Sequence, residues 1–252
     1  VGPSLDGRSC NEYGRRCEAS AVTGLPILTT RLVHIYHSEG HDVAALSGVD
    51  LYVAAGEFVG LLGPSGAGKP TLLTLLAGPF RPSAGKIQVG DNELSVVTVR
   101  DLDVLRASEI SLMLQGAHRN LLPYYTPREN VEFAQLAARR AGKDLPPAAE
   151  VLATVGLDAE SDTPLNSLTP GHLQLSAVAV AVSNLPGLLL ADEPTSQLDH
   201  DAPAVVLATI RLINRTLVPT ALLRTPQPTS AAPLPPPAPT RAAPPSRHAA
   251  RR

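Results

Sequence analysis

Three features of the sequence predict an α/β fold with a mainly parallel core sheet. A short apolar run over residues 57–62 leads directly into a glycine-rich loop, Gly63-Pro64-Ser65-Gly66-Ala67-Gly68-Lys69-Pro70-Thr71, and residues 71–77 then read as helix. Strand, glycine loop and helix in that order form a cradle for phosphate groups. Strand-like and helix-like segments alternate further along the chain, the pattern of a parallel sheet covered by helices. An apolar run over 188–191 ends in two adjacent acids, Asp192 and Glu193, at a strand end where open α/β sheets carry their ligands.

In chain order, residues 1–25 are mixed in character and without periodicity, and a disordered leader is expected there. Residues 28–36 and 49–53 read as β-strands on either side of the turn-forming Ser38, Glu39 and Gly40. In the glycine loop, glycines let the chain curl so that successive backbone N–H groups face an anion. Lys69 adds a point charge for the outer phosphates, and the following helix N-terminus favours the same anion. The loop fits G-x-x-x-x-G-K-[ST] except at its last position, where Pro70 replaces the hydroxyl residue that normally holds Mg²⁺. Residues 86–89 form a further strand. Thr126 can cap a helix, Pro127 suits its first position and Glu129 completes a capping box, with Val131, Phe133, Leu136 and Ala137 as the apolar stripe. Helices are also expected over 147–155, 171–184 and 203–214.

No Asp or Glu follows Asp201, whereas seven arginines and no lysine do. From Pro226 onward Pro, Ala, Thr and Arg dominate, and the run PLPPPAP suits neither helix nor central strand. Residues 226–252 are therefore expected to be a disordered tail with polyproline II character, the alternative being a Pro-rich ligand for a small adaptor domain. The folded domain is expected over 26–225.

Composition narrows the function classes. Of 252 residues, 44% are apolar, and the net charge of -2 gives no basic excess, so nucleic acid is not an expected partner. No apolar run approaches the roughly 18–20 residues that span a bilayer, so a membrane role has to come through a partner. The two cysteines, Cys10 and Cys17, fit neither a disulfide scaffold nor a zinc site.

Four further segments fall in the order of one family: LMLQGAHRNLLPYYTPRENV over 112–131, Leu168-Thr169-Pro170-Gly171-His172, LLLADEPTSQLD over 188–199, and Tyr36 ahead of the glycine loop. With them, residues 27–215 or thereabouts resemble the ATP-binding subunit of an ABC transporter, and most of all its lipoprotein-release and macrolide-export group. The resemblance implies a P-loop NTPase fold, with an antiparallel β subdomain and a helical signature subdomain over about 116–180. It implies ATP and Mg²⁺ as cofactors, and a homodimer or heterodimer of ATP-binding subunits. It also implies a transmembrane permease subunit as partner and a cytoplasmic position on the inner face of the membrane.

Residue by residue, Tyr36 matches the aromatic that stacks on adenine, although a half-buried strand aromatic explains it equally well. The loop residues Gly63 to Thr71 match the phosphate cradle. Gln115, after an apolar strand, matches the glutamine that reaches Mg²⁺ and the attacking water. Asp192 matches the metal-holding aspartate and Glu193 the glutamate that polarises water. Thr169 and Gly171 match the signature that meets the γ-phosphate held by the opposite subunit, with Pro170 removing one N–H. Ser196, Gln197, Leu198 and Asp199 resemble the loop that contacts the dimer partner. His172 is expected as a surface helix residue.

The sequence departs from the family pattern at nucleotide-facing positions. Pro70 removes a metal-ligating hydroxyl and an N–H, and each lost charge-assisted contact weakens Mg·ATP by about 1.5–3 kcal/mol. Ala221-Leu222-Leu223-Arg224-Thr225-Pro226 carries proline where the family has a γ-phosphate-sensing His. The change in composition reads as a reading-frame shift near residue 215. Two functions therefore stand open: an ATP-hydrolysing transporter subunit with weakened activity, and a non-catalytic nucleotide-binding subunit paired with an intact partner. A soluble ATPase of DNA repair is disfavoured, since no heptad region, zinc site or basic surface signal accompanies the motifs.

Overall fold

The computed structural model describes residues 24–38, 41–199, 201–217 and 219–224. Nearly all of the expected leader, the expected tail, and Glu39 and Gly40 of the expected turn lie outside the described residues.

Two four-stranded sheets organise the chain. The first is antiparallel: β1 (Ile27–Ser38), β2 (His41–Val53), β4 (Ala84–Val89) and β5 (Asn92–Glu93) lie in the order β2-β1-β4-β5. The second is parallel: β3 (Phe58–Leu61), β6 (Ile110–Met113), β7 (Leu188–Asp192) and β8 (Thr220–Arg224) lie in the order β3-β8-β7-β6. Helices α1 (Lys69–Leu76), α2 (Val99–Ser108), α3 (Pro127–Arg140), α4 (Ala148–Thr154), α5 (Pro170–Val182) and α6 (Ala202–Leu217) connect and cover the strands. The α/β class and the mainly parallel core follow the sequence reading.

The parallel strands are apolar on both faces because both faces are covered. Their side chains alternate with a period of two. Leu188, Leu190 and Leu222 pack with Leu72, Leu73 and Leu76 of α1 and with the antiparallel sheet. Leu189, Ala191, Ala221 and Leu223 face the other way, onto α5 and α6. The same alternation carries Asp192 and Arg224 onto the α1 side of the sheet, where they are partners in the β7–β8 register.

Local signals account for most element boundaries. Thr126 caps α3 with the full capping box: its side chain accepts from the Glu129 N–H, and Glu129 accepts from the Thr126 N–H. Pro70 sits in the first turn of α1, where its missing N–H removes no helix bond. Helix α2, absent from the sequence reading, has no fully buried residue and packs on the core through the partly buried Leu102 and Leu105; Thr98 starts it by accepting from the Asp101 N–H. Strand β2 begins eight residues before the run read from the sequence. Most of its added residues are exposed, so no burial alternation marked them.

The described chain stays ordered across residue 215 and continues into the parallel sheet. Strand β8 lies inside the sheet, its register running from Ala221 opposite Phe58 to Arg224 opposite Asp192. The Asn214 amide ties the end of α6 to the sheet by donating to the Gly56 and Pro219 carbonyls. Residues on both sides of 215 thus obey one core pattern.

In the helical part, Asn130 is buried and spans the turn before α3. It accepts from the Leu122 N–H at 2.7 Å and donates to the Thr126 carbonyl at 3.0 Å. Arg128 forks onto Asp162 at 2.7 and 2.9 Å, and its hydrogen bond holds the Asp162 carboxyl below the usual carboxylate range. Asn130→Ala leaves the Leu122 N–H and neighbouring carbonyls without that partner. An unfolding free energy lower by about 2 kcal/mol is expected in urea denaturation, with the slope unchanged.

Candidate functional site

Four strand ends meet at one edge of the parallel sheet. Strand β3 runs into the glycine loop, β6 leads to Gln115, β7 ends at Asp192 followed by Glu193, and β8 ends at Arg224. Because all four strands run the same way, their C-terminal ends share one rim, the ligand edge of such sheets.

Gly63, Pro64, Ser65, Gly66 and Ala67 are exposed, while Gly68 is buried at the start of α1 with φ of 73°. A side chain on Gly68 would run into the Ala45 carbonyl, so both space and conformation require glycine there. The Lys69 ammonium folds over the loop and donates to the carbonyls of Gly63 at 2.7 Å and Pro64 at 2.6 Å. Thr71 is buried, and its hydroxyl accepts from the Tyr36 hydroxyl at 3.4 Å. Tyr36 lies edge-on to His34, with centroids 4.7 Å apart, and is 42% exposed. That exposure leaves ring surface beside the loop, while the bond to Thr71 is the structural use of a strand aromatic.

Gln115 and Glu193 come together: the Gln115 amide donates to Glu193 Oε2 at 2.7 Å. Glu193 is buried and left-handed, with φ of 46°, a conformation that non-glycine residues keep only when their surroundings hold it. Its N–H donates to the Arg224 carbonyl at 2.9 Å, and its own carbonyl accepts from the Ser196 N–H and hydroxyl.

Arg224 is the residue the sequence reading missed. Its guanidinium donates to Asp192 Oδ1 at 2.7 Å and to Glu193 Oε1 at 2.5 Å, so one cation bridges both acids. The three side chains are 10–18% exposed, which removes most solvent screening. A signal was present: LLLAD and ALLR are apolar runs ending in opposite charges, and pairing them in register joins those charges.

Thr169 and Gly171 lie apart from this rim. Thr169 caps α5 by accepting from the His172 N–H at 3.2 Å, with Pro170 in the first turn. With Gly171, Leu198, Asp199 and Ala202 it lines a separate cleft of about 630 Å³. Within one chain the signature does not meet the glycine loop. His172 is partly exposed and 3.9 Å from Glu160, as a surface helix residue would be.

The donor set expected for Mg²⁺ does not assemble. That ion takes near-octahedral oxygen ligands at about 2.0–2.1 Å. Pro70 offers no hydroxyl, and the Thr71 hydroxyl is engaged by Tyr36. One Asp192 oxygen is held by Arg224, and Gln115 turns its amide nitrogen to Glu193. A fixed cation, Arg224, thus binds Asp192 and the Glu193 partner of Gln115, beside the two residues that the resemblance implied as metal ligands.

Fold and glycine loop together define a P-loop nucleotide-binding domain. The chain belongs to the ABC transporter family, whose model matches residues 46–196. It is 40% identical over 185 residues to a lipoprotein-releasing system ATP-binding protein, LolD, of Anaeromyxobacter dehalogenans, covering 73% of this chain and 77% of that protein. It is 39% identical over 187 residues to the methionine import ATP-binding protein MetN 2 of Salmonella choleraesuis, covering 74% of this chain and 54% of that one. Against the macrolide export ATP-binding/permease protein MacB of Rhodopirellula baltica the identity is 36%, over 71% of this chain and 26% of that one. The chain thus spans about half the length of the methionine-import relatives it matches. Lipoprotein-release and macrolide-export proteins are among its relatives, as the sequence resemblance implied. A dimeric ATP-binding cassette in a post-hydrolysis state, bound to ADP and Pi, superposes with a TM-score of 0.69 at 26% identity, over 79% of this chain and 87% of that one. Among the described residues no helix is long and apolar enough to cross a membrane.

Two substitutions test this geometry. Gly68→Ala should abolish tight nucleotide binding and lower thermal stability, read by calorimetry, because neither the left-handed backbone nor the Ala45 carbonyl has room for a methyl group. Arg224→Met leaves the buried Glu193 and half-buried Asp192 carboxylates without a counter-ion. It should lower unfolding free energy by about 3–5 kcal/mol at neutral pH, and adding Asp192→Asn should recover part of that loss in a double-mutant cycle.

Proposed function

We propose that this chain is the ATP-binding and ATP-hydrolysing subunit of a membrane transporter, with an exporter as the leading reading. The observation that carries the proposal is the convergence of glycine loop, Gln115 and Asp192-Glu193 at one rim of a P-loop sheet in a chain of this family. Two ATP-binding subunits, alike or different, would face each other so that Thr169 and Gly171 of one meet the triphosphate on the glycine loop of the other. The separate cleft holding those two residues supports that arrangement, since one chain alone cannot bring them to its own loop. The pair would dock on a transmembrane permease subunit at the inner face of the membrane, closure of the dimer driving the permease.

In this reading Lys69 exchanges its loop carbonyls for the β- and γ-phosphates, and loop N–H groups hold the remaining oxygens. Tyr36 offers its exposed ring to adenine. Glu193 would act on a water in line with the γ-phosphorus, its Oε2 passing from the Gln115 amide to that water and taking the proton. A second reading, the non-catalytic subunit, is favoured by one observation. Both catalytic-type acids are tied to Arg224, so the base begins the reaction already paired.

Phosphate release by the purified chain separates the two. Slow but measurable turnover is expected, abolished by Glu193→Gln and raised about tenfold by Pro70→Ser, the rate equivalent of one regained charge-assisted contact. Turnover indistinguishable from that of Glu193→Gln would establish the non-catalytic reading.

A further inference from the structure

We propose that Arg224 is a resident counter-cation that adapts this site to metal-free nucleoside triphosphate, so that nucleotide binding depends little on Mg²⁺. The inference rests on the reading of the glycine loop as a triphosphate site and goes beyond it to the ionic form of the ligand.

Three observations meet at this point. Backbone register places Arg224 opposite Asp192 on the α1 face of the sheet, so their contact follows from strand pairing. The guanidinium then spans Asp192 Oδ1 and Glu193 Oε1, binding one oxygen of each acid. Lastly, the hydroxyl that should complete a divalent site is missing at Pro70, and the neighbouring Thr71 hydroxyl is taken by Tyr36.

Charge explains why these features belong together. Two bare carboxylates at the rim repel a triphosphate, and a divalent cation ordinarily relieves that repulsion by binding both. Here a covalently attached cation does part of the same work before nucleotide arrives. It also opposes a divalent ion, by like-charge repulsion and by occupying an Asp192 oxygen, in a setting where little solvent screens the interaction. Arg224 Nε is buried without an acceptor among the described residues, so the guanidinium keeps a donor uncommitted. The absent hydroxyl at Pro70 and the strand-end Arg224 thus act in the same direction.

Calorimetric titration of the full chain with ATP, in excess EDTA and in saturating Mg²⁺, tests this. For the native chain the two dissociation constants should agree within about threefold. Arg224→Gln should weaken binding in EDTA by about tenfold or more and make it respond to Mg²⁺, whereas Arg224→Lys should stay insensitive to the metal. Tightening of native binding by tenfold or more on adding Mg²⁺ overturns the inference while leaving the nucleotide reading intact. If ATP binds in neither condition, the proposed function itself fails and this inference with it. Should Arg224→Gln not fold by circular dichroism, the native chain and Arg224→Lys decide the matter alone.

Discussion

Parallel pairing of β7 with β8 is the constraint on which the rest of the site depends. Each strand is apolar on both faces, so each must be sandwiched, with α1 on one side and α5 and α6 on the other. A slip of one residue would turn Leu188, Leu190 and Leu222 onto the wrong face and expose the set that packs on α5. The register that avoids this slip also sets Asp192 beside Arg224. Core packing therefore decides the electrostatics of the rim.

What was legible in the sequence was what local chemistry encodes. The capping box of Thr126 and Glu129 needs only four residues, and it forms as read. The glycine loop likewise carries its own geometry, down to the glycine that the Ala45 carbonyl demands at position 68. Helix α2 and the first part of β2 were not legible, because α2 leaves only a short, partly buried stripe and most of the early β2 residues are exposed. The Arg224 bridge was hidden for another reason. It joins residues 32 apart whose proximity is a property of strand order, and strand order cannot be read from either run alone.

The prolines at 70 and 170 illustrate what a fold tolerates. Both occupy the first turn of a helix, where the absent N–H has no helical acceptor to miss. Their cost to folding is small, and any cost falls on an anion that would have used those N–H groups. Family membership is thus compatible with both prolines, because the packing that holds the two helices does not involve the absent N–H groups.

Glu193 brings these strands together. Its left-handed backbone needs support from outside, and the support comes from Arg224 twice, through a carbonyl that accepts its N–H and a guanidinium that binds its carboxylate. A residue held in this way is well oriented but not free. To meet water it has Oε2, which only the neutral Gln115 amide occupies, since Oε1 is held by a full charge at 2.5 Å. The weaker of the two bonds faces the glutamine that follows β6, so motion of that segment would free Oε2 first. Conversely, whatever loosens β8 loosens Glu193 in backbone and side chain together. The orientation of Glu193 and the pairing at the β7–β8 rim thus depend on the same arginine.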